Sequence, residues 1–187
     1  MVVGIFGQSG SGKTVASDYF GKLGWYVING DWVSRKVLEK GSVGLEQVVQ
    51  AFGEKFLNPD GSLNRGMLGA WVFADKLELE RLNSITKPLI EAAITDMIKE
   101  NSHKNIIIDG AILTQTNIIN LCDKTILIKS EMNVERLIKR DRLSESDVKN
   151  RLESQILNEN ADIIIENNGD LETFYEKIND VIDKLEV

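Results

Sequence analysis

The chain has 187 residues, 42% hydrophobic and 27% charged, a globular usage that excludes disordered and fibrous classes. Its 22 basic and 29 acidic residues leave a net charge of −7, which argues against general nucleic-acid affinity while allowing a local basic site for a small anion. A single cysteine, Cys122, excludes an internal disulfide framework and fits a reducing compartment. No apolar run approaches the ~20 residues of a membrane span. The first residues carry neither a basic stretch nor a small-residue cleavage pattern, so no secretory signal is expected and a soluble cytoplasmic protein is.

Residues 2–6 form the first apolar segment and read as a buried strand. The stretch 14–23 then places Val15, Tyr19, Phe20 and Leu23 on a 3.6-residue stripe, which predicts an amphipathic helix. A second strand is expected at 25–28. Residues 32–101 are too long for one crossover and hold three or four helical patterns, with turns at Gly41-Ser42 and Asn58-Pro59-Asp60-Gly61. Pro88 reads as a first-turn residue of a helix running to about Lys99, because a missing N–H costs nothing there. Further strands are expected at 105–108, 125–128 and 163–165, all rich in isoleucine or valine. Between the last two, 136–160 is strongly charged and contains Arg136, Arg140, Arg142 and Arg151; Ser144 with Asp147 suggests an N-cap within it. Strands alternating with helices predict an α/β fold, a five-stranded parallel sheet covered on both faces. Within a single domain, 32–101 is expected as a helical cap and 136–160 as a mobile lid arm.

Gly7-Gln8-Ser9-Gly10-Ser11-Gly12-Lys13-Thr14 matches G-x-x-x-x-G-K-[ST] in full, between a predicted strand and a predicted helix. The glycines let successive backbone N–H groups turn toward one point and form an anion nest. Gly12 leads into a helix N-terminus, whose partial positive charge favours phosphate. Lys13 brings an ammonium to the β- and γ-phosphates, and the Thr14 hydroxyl can ligate Mg²⁺. The competing reading, a glycine-rich turn matching by chance, does not account for the flanking strand and helix.

Asp31 lies just past the second predicted strand, at the edge where open α/β sheets bind ligands. A carboxylate there can take a proton from an attacking hydroxyl, or simply cap a helix over 32–40. Arg35 is four residues on and shares a helix face with it. Asp109 ends an apolar run and reads either as a Walker-B-type carboxylate organising Mg²⁺ or as a turn residue before Gly110. Arg136 and Arg140 share a helix face and suit phosphate through their planar forks, or form a solvated face with Glu135 and Asp141. His103 sits in a polar turn and is expected to be exposed and not catalytic. Trp25, Trp32 and Trp71 read as core residues, with Trp32 beside Asp31 a candidate for lining an acceptor pocket. Cys122 reads as a small buried apolar residue, and no Cys/His cluster supports zinc.

Taken in order, these stretches resemble the dephospho-coenzyme A kinase family from about residue 2 to 182. The resemblance rests on the N-terminal P-loop, on Leu23-Gly24-Trp25-Tyr26-Val27-Ile28-Asn29-Gly30-Asp31, and on Asp60-Gly61-Ser62-Leu63-Asn64-Arg65. Lys87-Pro88-Leu89-Ile90, Arg136, Arg140-Asp141, Leu143-Ser144, Ala161-Asp162 and Asn167-Asn168-Gly169 extend it. Asn29 stands where the family commonly has an aspartate, and Lys87 replaces its usual histidine. The resemblance implies a P-loop kinase fold and transfer of the γ-phosphoryl of ATP to the 3′-hydroxyl of dephospho-coenzyme A, with Mg²⁺. It implies nucleotide binding by Gly7, Gln8, Ser9, Gly10, Ser11, Gly12, Lys13, Thr14 and Val15. Asp31 would act as base, Lys13 and Arg140 on the transferred phosphate, and Thr14 and Asp109 at the metal, with the acceptor under 32–101. Another small-molecule P-loop kinase, with a nucleoside, nucleotide or sugar-like alcohol as acceptor, and a non-catalytic ATP-binding module are the alternatives.

Overall fold

The computed structural model describes every residue except 132, 142–143, 147, 149–151, 153–159 and 186–187, and only the backbone at 133, 140 and 141. Five parallel strands, β1 (Val2–Gly7), β2 (Tyr26–Asn29), β3 (Ile106–Asp109), β4 (Lys124–Lys129) and β5 (Ile163–Glu166), form one sheet in the order β2-β3-β1-β4-β5. Near-continuous isoleucine and valine runs suit strands covered on both faces. Each strand lies within one residue of its expected position. The chain lays β2 and β3 on one side of β1, then β4 and β5 on the other. The loop after β1 therefore sits where strand order reverses, the place at which such sheets bind ligands.

Helices α1 (Lys13–Lys22) and α8 (Leu171–Lys184) cover one sheet face. Val3, Ile5, Ile107, Ile126, Ile128 and Ile165 pack there against Ala16 and Phe20 of α1 and against Phe174, Ile178 and Val181 of α8. On the other face a side chain at Gly4 would meet Cys122 and Leu113, the latter in α6 (Ile112–Gln115). α7 (Asn133–Asp141) follows β4. The strand period of two thus sends alternate residues into two separate apolar layers. The expected α1 stripe is corrected: Ala16, Ser17 and Phe20 are buried, whereas Val15 and Leu23 are exposed. Small Ala16 and Ser17 permit close approach to the sheet, so the helix turns that face inward.

The chain divides into two compact units, 1–29 with 101–187 and, separately, 30–100. The second is helical: α2 (Gly30–Lys36), α3 (Val43–Phe52), α4 (Arg65–Phe73) and α5 (Lys76–Glu100), with a 3₁₀ turn at Glu54–Phe56. Its core is Leu38, Leu45, Val48, Phe52, Phe56, Leu63, Leu68 and Val72. Ser42 caps α3 by accepting from the Leu45 N–H at 3.1 Å, and Asn64 caps α4 by accepting from Met67 N–H at 3.0 Å. Pro88 lies inside α5 and not in a first turn. An interior proline leaves the carbonyl four residues back unpaired and costs roughly 3 kcal/mol in an isolated helix. Packing of α5 against α2, α3 and α4 overrides that local penalty. Trp25 is buried as expected, but Trp32 and Trp71 are about half exposed, at 52% and 50%.

The lid arm expected at 136–160 falls largely outside the described residues; α7 supplies its first turns. Asp147, Arg142 and Arg151 lie outside them too. Ser144 accepts through its backbone carbonyl from the Val148 N–H. Among the described residues no helix is long and apolar enough to cross a membrane.

Candidate active site

The loop from β1 into α1 carries the full motif. Gly10 and Gly12 hold φ of 79° and 106°, values open to glycine at no steric cost. Gly12 is the N-cap of α1 and offers no side-chain cap, and no acidic residue occupies the first turn. No side chain therefore caps the first turn of α1, and the helix dipole points at the same spot. An anionic phosphate suits such a helix end. The Lys13 ammonium donates to the Gln8 carbonyl at 2.9 Å, folding the side chain back along its own loop. Thr14 and Val15 are exposed.

The loop is braced from behind by a residue that the motif does not name. Asn167, at the end of β5 and buried, donates its side-chain amide to the Ser11 carbonyl at 2.8 Å. Its backbone N–H donates to the Lys129 carbonyl at 2.8 Å, and its own carbonyl accepts from the Ser130 hydroxyl at 2.8 Å. The bracing joins the loop to the ends of β4 and β5. Nothing near Gly7 in sequence could have revealed it. A Cβ at Gly12 would collide with the Asn167 amide, so Gly12 is required for close approach as well as for conformation. Ser11 is fully buried, and its hydroxyl finds no hydrogen-bond partner among the described residues.

Asp109 ends β3, where it pairs in register with Ile5 of β1 and Asn29 of β2. It is 3% exposed, so it is no ordinary surface turn residue. Ser17 Oγ donates to its carboxylate at 2.9 Å and lies within 3.0 Å of the Lys13 carbonyl and 3.2 Å of that of Thr14. The contact ties the last residue of β3 to the second turn of α1. Ser17 went unremarked in the sequence; its spacing of three from Thr14, one turn of the same helix, is the signal that points to it. Thr14 and Asp109 are oxygen donors of the kind Mg²⁺ prefers. Among the described residues no three His, Cys, Asp or Glu side chains cluster as a metal site.

Arg136 is half-buried on α7 and donates to the Ser130 hydroxyl at 3.2 Å, joining the chain of contacts that runs through Asn167 to the loop. The backbone of Arg140 lies in α7 one turn later, and its side chain is outside the described residues.

In the helical unit, Asp31 lies in the first turn of α2, two residues past the end of β2. The helix spans Gly30–Lys36 and not 32–40, so Asp31 is not the residue before it. Its exposed carboxylate makes no hydrogen bond or ion pair among the described residues. Negative charge in that turn is favoured by the dipole. Arg35 is one turn on and Trp32 is adjacent.

His103 is exposed, as expected from its turn. Cys122 is partly buried; burial, reinforced by the Asp123 charge, pushes its thiol up to about 12, so it is held as an unreactive thiol.

A family model described as dephospho-CoA kinase matches residues 1–173. The chain belongs to the dephospho-CoA kinase family. A dephospho-CoA kinase of Shouchella clausii is 31% identical over 98% of this chain and 98% of its own. A solved dephospho-CoA kinase from Campylobacter jejuni is 26% identical, with a TM-score of 0.69 over 98% of this chain and 96% of that one. A Thermus thermophilus structure, at 21% identity, shares the fold with a TM-score of 0.83 over 99% of this chain and 97% of that one. The fold is that of P-loop kinases, and the protein is a kinase acting on a small-molecule acceptor.

Proposed function

We propose that this kinase transfers the γ-phosphoryl group of ATP to the 3′-hydroxyl of dephospho-CoA, giving coenzyme A and ADP. The observation that carries the reading is the family match over residues 1–173, on a chain whose phosphate loop ends in an uncapped helix N-terminus. Phosphoryl transfer asks little covalent work of a protein; positioning and neutralisation of charge do most of it.

In this reading Gly7, Gln8, Ser9, Gly10, Ser11, Gly12, Lys13, Thr14 and Val15 receive the nucleotide. The loop N–H groups take the phosphate oxygens, and Lys13 exchanges the Gln8 carbonyl for the β/γ oxygens. Asp31 orients the acceptor hydroxyl and takes its proton; its exposed carboxylate, unengaged among the described residues, suits that role. Arg140 acts from α7 on the transferred group. Thr14 and Asp109 would hold Mg²⁺ or its water. The ion, when bound, neutralises phosphate charge. The 32–101 segment receives the acceptor, and 136–160 serves as the lid.

The test is ADP release from Mg-ATP with and without dephospho-CoA, with the product weighed by mass spectrometry. Acceptor-dependent ADP and a product one phosphate heavier are expected. ATP binding without acceptor-dependent turnover would remove dephospho-CoA as the acceptor.

A further inference from the structure

The geometry points to Arg35 and Arg65 as the subsite that holds the diphosphate of the acceptor. This rests on the acceptor reading above and adds the site that recognises the acceptor's charge.

Arg35 lies in the last turn of α2 and Arg65 opens α4, thirty residues apart in the chain. The Arg65 guanidinium donates from Nη2 to the Arg35 carbonyl at 2.8 Å, which brings two arginines to one place in the helical unit. Burial, then the neighbouring Arg35 charge, push the Arg65 guanidinium below its ordinary value. Among the described residues Glu39 is the carboxylate that acts on Arg65, and it is already paired with Lys36 at 2.6 Å. The Arg35 guanidinium makes no hydrogen bond or ion pair among the described residues. The bond from Arg65 explains one guanidinium edge, as a cation at the C-terminal end of α2. It does not explain why a second arginine should stand beside it, in a chain whose net charge is −7.

Two adjacent like charges are costly until an anion arrives between them, and planar arginine forks suit the paired oxygens of phosphate. Asp31 and Arg35 are four apart in one helix, so they lie on one face about 5–6 Å apart at Cβ. In dephospho-CoA a single ribose ring separates the 3′-hydroxyl from the 5′-diphosphate. A hydroxyl engaged by Asp31 would therefore present its diphosphate about one helical turn away, along the face that carries Arg35.

The experiment compares the unsubstituted enzyme with Arg35→Gln and Arg35→Lys, because the exposed Arg35 side chain supports no contact the fold needs. Dephospho-CoA and adenosine, which keeps the 3′-hydroxyl but has no phosphate, serve as acceptors. Arg35→Gln should lower the ratio of kcat/KM for dephospho-CoA over adenosine at least tenfold, through the acceptor KM, and Arg35→Lys should recover much of it. Equal losses on both acceptors, or an ATP KM rising in step with the acceptor KM, overturn the assignment. Titration of dephospho-CoA into nucleotide-free protein separates this from failure of the reaction. If dephospho-CoA binds but is not turned over, tenfold weaker binding by Arg35→Gln upholds the subsite and unchanged binding removes it. An unsubstituted protein that binds no dephospho-CoA overturns both.

Discussion

The loop after β1 and the start of α2 are both built to meet charge, and they do so in opposite ways. The loop uses backbone: positive-φ glycines, an uncapped α1 and a carbonyl braced by Asn167. The helical unit uses side chains: the Asp31 carboxylate, unengaged among the described residues, and the Arg35–Arg65 pair, on exposed helix surface. Backbone donors suit the part of a reaction shared by all P-loop kinases, because their geometry does not depend on residue identity. Side chains suit the part that differs between them, since a substitution changes what is recognised while the helix stands.

The sharpest break of that contrast pairs Lys13→Ala with Asp31→Asn. Each should lower turnover by roughly 10²–10⁴-fold. Only Lys13→Ala should weaken ATP as well, by equilibrium titration. Loss of ATP affinity in Asp31→Asn would assign that residue to the nucleotide and not to the acceptor.

Gly12→Ala tests the backbone side directly. Its φ of 106° and the overlap of a new Cβ with the Asn167 amide should cost about 1–3 kcal/mol in stability and displace the loop. ATP binding should fall at least tenfold, read by titration alongside thermal unfolding. An alanine variant with native ATP affinity would mean that the brace from Asn167 does not set the loop's shape.

The smallest effect concerns the sheet that carries the loop. Asp162 precedes β5 and accepts from the Thr125 hydroxyl at 2.7 Å and from its N–H at 2.8 Å. Those bonds, the hydroxyl first, hold its carboxyl below the ordinary 3.8. A depressed carboxyl contributes stability above its unfolded value, and the contribution is lost as pH falls through the lowered one. Solvent exposure limits it to roughly 0.5–1 kcal/mol. Asp162→Asn should narrow the difference in melting temperature between pH 7 and pH 3. An unchanged difference would show that Thr125 binds the two forms equally.

Much of the sheet was legible because buried parallel strands are written as short Ile/Val runs, and each run such as 105–108 or 125–128 marks one strand. The P-loop was legible for a related reason: its function lies in consecutive residues. Helices were less so. Pro88 misplaced the start of α5 because a local penalty was outweighed by packing along 25 residues. Val15 and Leu23 were assigned to the wrong face of α1 because small Ala16 and Ser17 carry little hydrophobic signal yet allow the close contact. Tryptophan size suggested burial at 71, where the residue is half exposed; Trp32, set apart as a candidate for lining an acceptor pocket, is half exposed as well.

By itself the sequence determined the strand-loop-helix unit around Lys13, the parallel α/β class and the family, since all of these are carried by local pattern and ordered motifs. Only the tertiary structure decided that Asn167 braces Ser11 from 156 residues away, that Ser17 binds Asp109, and that Arg65 stands beside Arg35. Such contacts depend on which strands become neighbours and where helix ends meet. Chain order does not encode that, and packing does.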